Sequence, residues 1–162
     1  MENLTLFEHF LFSFITSSGF GVFLSVPKKD VFIGGLIGGI SWLLYIKILW
    51  STGEVILPYF LATVSIGILG DVFSKITRRP VIVYLIPAAL PLVPGYTMYY
   101  TMLYTVTEKY ELAIAKGVEA IFIAFAIATA LVVTESLRKV TSKIFYELYL
   151  KKYLKYKNSV KF

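Results

Sequence analysis

Cysteine is absent from the 162 residues, histidine occurs once, as His9, and charged side chains make up only 16% of the chain. Without cysteine there is no disulfide scaffold, thiolate metal site or thiol nucleophile, and one histidine cannot build a multi-histidine metal cluster. No clustered acids have metal- or phosphate-binding spacing, so neither metal nor cofactor is expected and an enzyme is the weakest reading. The shortage of charge is matched by 57% hydrophobic and 17% aromatic residues and a mean hydropathy of +0.75. Soluble domains are about half apolar and about a quarter charged, so both figures lean towards a membrane protein.

A hydrocarbon core of ~30 Å takes about 20 apolar helical residues. Five such stretches are predicted, at residues 6–26, 31–50, 55–74, 80–107 and 112–136, separated by short polar connections. The first lacks a basic leader and a small-residue cleavage site and carries Glu8 and His9, so it is expected to be retained rather than removed as a signal. With the N-terminus outside, Lys28, Lys29, Lys75, Arg78, Arg79 and the eight bases from Arg138 onwards all fall inside. That is thirteen of the sixteen basic residues, which predicts an N-out, C-in topology in the cytoplasmic (inner) membrane. The net charge of +6 is then a topological signal, and nucleic acid is not an expected partner. The division expected is a transmembrane domain at 1–137 and a basic amphipathic C-terminal helix at 138–162. That tail either lies against anionic lipid or simply fixes the topology.

Small residues mark packing faces. Gly34, Gly35, Gly38 and Gly39 form two interleaved small-xxx-small pairs, each glycine costing about 1 kcal/mol in a helix unless another backbone approaches closely. Gly67 and Gly70, with Thr63 and Ser74, supply a matching face on the third stretch. Ala120, Ala124 and Ala128 do so on the fifth.

The fourth stretch cannot be one straight helix. Its 28 residues would span roughly 42 Å, and Pro87, Pro91, Pro94 and Gly95 interrupt it, an interior proline costing about 3 kcal/mol. Two half-helices, 81–91 and 96–107, are predicted to meet at a non-helical segment, 90–95. Backbone of that kind is tolerated at membrane depth only where protein or a water-filled cavity covers it. This points to a substrate site formed by Pro91, Pro94, Gly95, Tyr96, Thr97, Tyr100 and Thr101. The unpaired N–H groups of the second half-helix could hold a carboxylate, and Thr97, Thr101 and Thr105 share one face. Equally, the threonines could bond the carbonyls four residues back and the tyrosines could form an interfacial belt. For ion coupling, Asp71 and Glu119 are the candidates, with Glu135 behind them. Each has a basic mate three or four residues away, so helix-end ion pairs are the competing reading.

The motifs Val26-Pro27, Leu36-Ile37-Gly38-Gly39-Ile40-Ser41-Trp42, Phe60-Leu61-Ala62-Thr63, Ile66-Gly67-Ile68-Leu69-Gly70, Arg79-Pro80 and Leu90-Pro91-Leu92-Val93-Pro94-Gly95-Tyr96 together resemble the threonine/serine exporter family, specifically its C-terminal half as a separate small subunit. The resemblance implies export of threonine and serine, or of dicarboxylates such as succinate as in related split systems. It also implies lipid contact and a second membrane subunit equivalent to the other half, or a homo-oligomer. A non-transporting scaffold or assembly subunit is the alternative.

Overall fold

The structure, a computed structural model, describes the backbone of residues 4–159 and the side chains of residues 4–140. Six α-helices and one 3-10 turn account for nearly all of it, and no strand occurs among the described residues. The helices are α1 (Leu6–Phe23), α2 (Lys28–Thr52), α3 (Ile56–Thr77), α4 (Ile82–Ala89), α5 (Gly95–Val106) and α6 (Tyr110–Ser159), with the turn Leu90–Leu92 between α4 and α5.

Local sequence explains most of the boundaries. Thr5 and Glu8 form a capping box: the Thr5 hydroxyl accepts from the Glu8 amide and the Glu8 carboxylate accepts from the Thr5 amide at 2.6 Å, which satisfies two of the orphan N–H groups at the start of α1. Gly53 closes α2 in the left-handed conformation, φ +69°, where a residue without Cβ carries no steric cost. Arg78 does the same for α3 at φ +56°, and Pro80 follows, unable to continue the helix.

Four helices are long and apolar enough to cross a membrane, and the bent pair α4–α5 makes up to five if it forms one span. The bounds differ from the hydropathy windows in instructive ways. α2 begins at Lys28, not residue 31, because Pro27 occupies its N-cap position and Asp30 in the first turn suits the positive end of the helix dipole. The first predicted half-helix is shorter, the second is shifted by one residue at the same length, and the segment between them is less irregular than expected. Pro91 fits at the start of the 3-10 turn, where its missing N–H is not needed, leaving only Val93 and Pro94 outside helical geometry. The two arms meet at 47°. The residues read as a tail helix continue α6 without interruption to Ser159. The side chains that would touch lipid there, from residue 141, lie outside the described ones.

α1 packs on α2, α2 on α3 and α4, α3 on α6, and α5 on α6. Ile37, Ile46, Ala62, Ile66, Tyr84, Ala88, Leu92 and Ile123 form the buried centre. The inward face of α6 is Ala113, Ile123, Ala126, Ala130 and Thr134. This corrects the expectation for Ala120, Ala124 and Ala128: Ala124 and Ala128 are exposed and Ala120 is only half-buried. At 100° per residue the two sets lie on different sides of the helix, and the larger Ile123 goes inward.

Candidate functional site

The glycine face of α2 is met by two other helices. A methyl group added at Gly35 or Gly38 would overlap Ser18 or Ser17 of α1, and one at Gly39 would overlap Phe10. On the other side Ala88 lies against Gly38, and Pro87 lies 3.8 Å from where a Cβ on Gly34 would sit. The face therefore admits α1 and the proline-bearing α4 together. Gly67 lies under Thr134 of α6, and Gly70 under Leu85 of α4. Sequence pairing of the α2 face with the α3 face misses this arrangement.

The break is covered on one side only, Val93 being 51% exposed and Gly95 exposed as well. Leu92 is 1% exposed and Pro94 is buried, and the turn Leu90–Leu92 packs on α1 and α2. Pro94 has no N–H, and the Gly95 amide turns back to the Val93 carbonyl at 2.7 Å. The first helical bond of α5 comes from Met98 to Pro94. Among the described residues, the amides of Tyr96 and Thr97 meet no acceptor and the Thr97 hydroxyl has no partner; Thr97 is 3% exposed, yet its hydroxyl is not sealed from solvent, and the sealed side-chain atoms without a partner are His9 Nε2, Ser17 Oγ, Ser18 Oγ and Arg138 Nε. Thr101 and Thr105 are already occupied, their hydroxyls donating to the Thr97 and Thr101 carbonyls at 2.8 Å. Tyr96 and Tyr99 are 61% exposed. Tyr96, Tyr100 and Tyr104 form a continuous row, with ring centroids 4.5 and 5.7 Å apart. Of the predicted site residues, Pro94 and Thr97 face protein, whereas Tyr96 points outward and nothing approaches within 4 Å of a Cβ built on Gly95.

The three acids singled out by spacing each meet the mate that spacing suggests: Asp71 with Lys75 at 2.7 Å, Glu119 with Lys116 at 2.6 Å, and Glu135 with Arg138. Glu135 and Arg138 also line a groove of about 480 Å³ that includes Gly67 and Leu85.

Two arrangements escape sequence reasoning. Asp30, in the first turn of α2, has a side chain only 6% exposed. Its Oδ1 accepts from the Tyr84 hydroxyl at 2.6 Å, the Tyr84 hydroxyl bonds Thr77 at 2.7 Å, and Arg79 Nε stands 3.6 Å from Oδ2. A boundary drawn at residue 31 hides this acid in a loop; the signal was Pro27 three residues before it. On α1, His9, Ser13, Ser17 and Gly21 recur every fourth residue and are all buried towards α2. Ser13 donates to the Gly38 carbonyl at 3.2 Å, and Trp42 Nε1 donates to His9 Nδ1 at 3.4 Å. That periodicity was present in the sequence. No group of three or more His, Cys, Asp or Glu among the described residues could hold a metal ion.

A family model described as Threonine/Serine exporter, ThrE, matches residues 9–137, which takes in most of α1, all of α2 to α5 and most of the apolar part of α6. No curated protein and no solved structure matches the chain.

Proposed function

The chain belongs to the threonine/serine exporter family, and from that premise we propose that it is a subunit of a secondary transporter carrying small amino acids or small carboxylates out across the cytoplasmic membrane. The family and the apolar helices make it a membrane transporter component. The finer reading is a five-span subunit, N-terminus outside and C-terminus inside, that assembles with a second membrane subunit or with another copy of itself. An odd number of spans gives a fused or paired second half the opposite orientation, the arrangement of inverted-repeat transporters.

The observation that carries this reading is the start of α5. The chain breaks beside the buried Leu92 and Pro94, and the hydroxyl of Thr97, which is accessible although the residue as a whole is 3% exposed, and the amides of Tyr96 and Thr97 have no acceptor or donor among the described residues. Half-helix N-termini of this kind carry a partial positive charge suited to a substrate carboxylate. The ion-paired Asp71 and Glu119 are the candidates for proton coupling.

The test is gradient-driven flux of serine, threonine and succinate in membrane vesicles holding the protein and its partner half. Thr97→Val is expected to cut flux about five- to thirtyfold, the loss of about one to two kcal/mol of polar contact. Thr101→Val is expected to change it little, because that hydroxyl already serves the Thr97 carbonyl. Absence of flux for all three compounds would favour the scaffold reading, in which the break is only a packing kink.

A further inference from the structure

We propose that Asp30 is the ammonium-recognising carboxylate of a loading site for zwitterionic α-amino acids at the Lys28–Arg79 end of the molecule. The proposal rests on the exporter reading above and deepens it by naming the substrate class. A groove of about 360 Å³ opens there, lined by Lys28, Lys29, Asp30, Ile33, Thr77 and Arg79, a volume within the usual range of small-molecule sites.

The two oxygens of Asp30 are unequally engaged. Oδ1 is taken by the Tyr84 hydroxyl at 2.6 Å, which is itself held by Thr77, so the carboxylate is fixed in orientation. Oδ2 has only the long 3.6 Å approach of Arg79 Nε. An ionised carboxylate has about four acceptor positions, and one buried this far is costly unless a cation and donors complete them. Arg79 completes them incompletely: its side chain is 52% exposed, and its remaining guanidinium donors are free to turn towards an anion.

An α-amino acid offers both missing halves at once. Its ammonium is the short-range cation that Oδ2 lacks, and its carboxylate is the anion that Arg79, Lys28 and Lys29 can take. A dicarboxylate would instead bring a second negative charge against the buried Asp30, with no donor for Oδ2. The competing explanation is that Asp30 merely ties the first turn of α2 to the α3–α4 connection. That role predicts loss of stability but no change in which substrate is preferred.

Vesicles holding the full chain and its partner half would be assayed for flux of L-threonine and of succinate, and the ratio of the two rates read for each variant. Asp30→Asn is expected to lower threonine flux about ten- to a hundredfold, the worth of a charge-assisted contact, and to lower the threonine-to-succinate ratio with it. Asp30→Glu is expected to restore part of the ratio. Threonine flux within twofold of wild type in Asp30→Asn overturns the proposal, as does an equal loss of both substrates or a wild-type preference for succinate. If Asp30→Asn fails to accumulate in the membrane, the smaller neutral variant Asp30→Ser decides: a wild-type ratio there is also fatal. Failure of the exporter reading is separately visible, as absence of flux for both compounds in the wild-type protein.

Discussion

Gly38→Ala isolates what the glycine face of α2 is for. Alanine is the better helix former by about 1 kcal/mol, so on propensity alone the change stabilises. In the structure the new methyl group would overlap both the Cβ and the hydroxyl of Ser17 and would sit 3.4 Å from the Ala88 backbone. A hydroxyl can rotate away, but a Cβ moves only with its helix, so α1 must shift. Overpacking of this kind costs about 1–3 kcal/mol. Gly19→Ala is the internal standard, because Gly19 is helical and has nothing within 4 Å of its Cβ position. Both variants gain the same propensity, so the difference between them, about 1–3 kcal/mol, is the packing cost alone. For a chain of this size that separates their melting temperatures by about 2–12 °C. Thermal unfolding in detergent, followed by tryptophan fluorescence, reads the difference, since Trp42 lies beside His9 in the α1–α2 contact. Adding Ser17→Gly to Gly38→Ala removes the atoms in conflict and is expected to recover most of the loss as a coupling energy. If Gly38→Ala melts no lower than Gly19→Ala, α1 does not lie on this face.

Two further outcomes follow from the same geometry. Tyr84→Phe removes the hydroxyl that donates to the buried Asp30 and is expected to cost about 1–3 kcal/mol, seen as a lower melting temperature; an unchanged value would mean that Asp30 does not need that donor. Gly95→Ala meets no atom within 4 Å and is expected to leave thermal stability at or slightly above wild type, so a clear loss in the same assay would show that the break is packed more closely than described.

The features legible in the sequence were those written in composition and short spacing. Pro91 and Pro94 lack the N–H groups that one continuous helix would need, so the break was readable from covalent chemistry, whereas Pro87, expected to interrupt the span as well, lies inside α4. Acid–base pairs three and four residues apart share a helix face, and Asp71–Lys75 and Lys116–Glu119 are both formed. Partner identity is different in kind. A small face states that some helix comes close, not which one, and Gly34 to Gly39 turned out to receive α1 and α4. Asp30 was lost because an apolar window trims polar first turns from a helix, although those turns hold the residues that face the neighbouring connection. The His9–Ser13–Ser17 stripe was hidden by the opposite bias: in a span read for hydrophobicity, scattered polar residues look like exceptions instead of a face.

The break also marks where the chain changes its packing partner. Up to Leu92 it is held by α1, α2 and α3; from Gly95 onwards α5 rests on α6 alone among its substantial helix contacts. No helical hydrogen bond joins the two arms, because Pro94 has no N–H and the Gly95 amide is spent on Val93. The hairpin α5–α6 is therefore attached to the rest chiefly through the α3–α6 face, where Gly67 lies under Thr134. Alternating access needs one body to move against another, and motion costs least where no backbone bond must break. In an exporter built on this chain, a shift of the hairpin would carry the unpartnered Thr97 hydroxyl and the first amides of α5 with it while leaving the Asp30 groove, built from Pro27, α2, α3 and the α3–α4 connection, in place. The two sets of polar groups thus lie on opposite sides of the break, one on the part held by α1 to α3 and one on the hairpin.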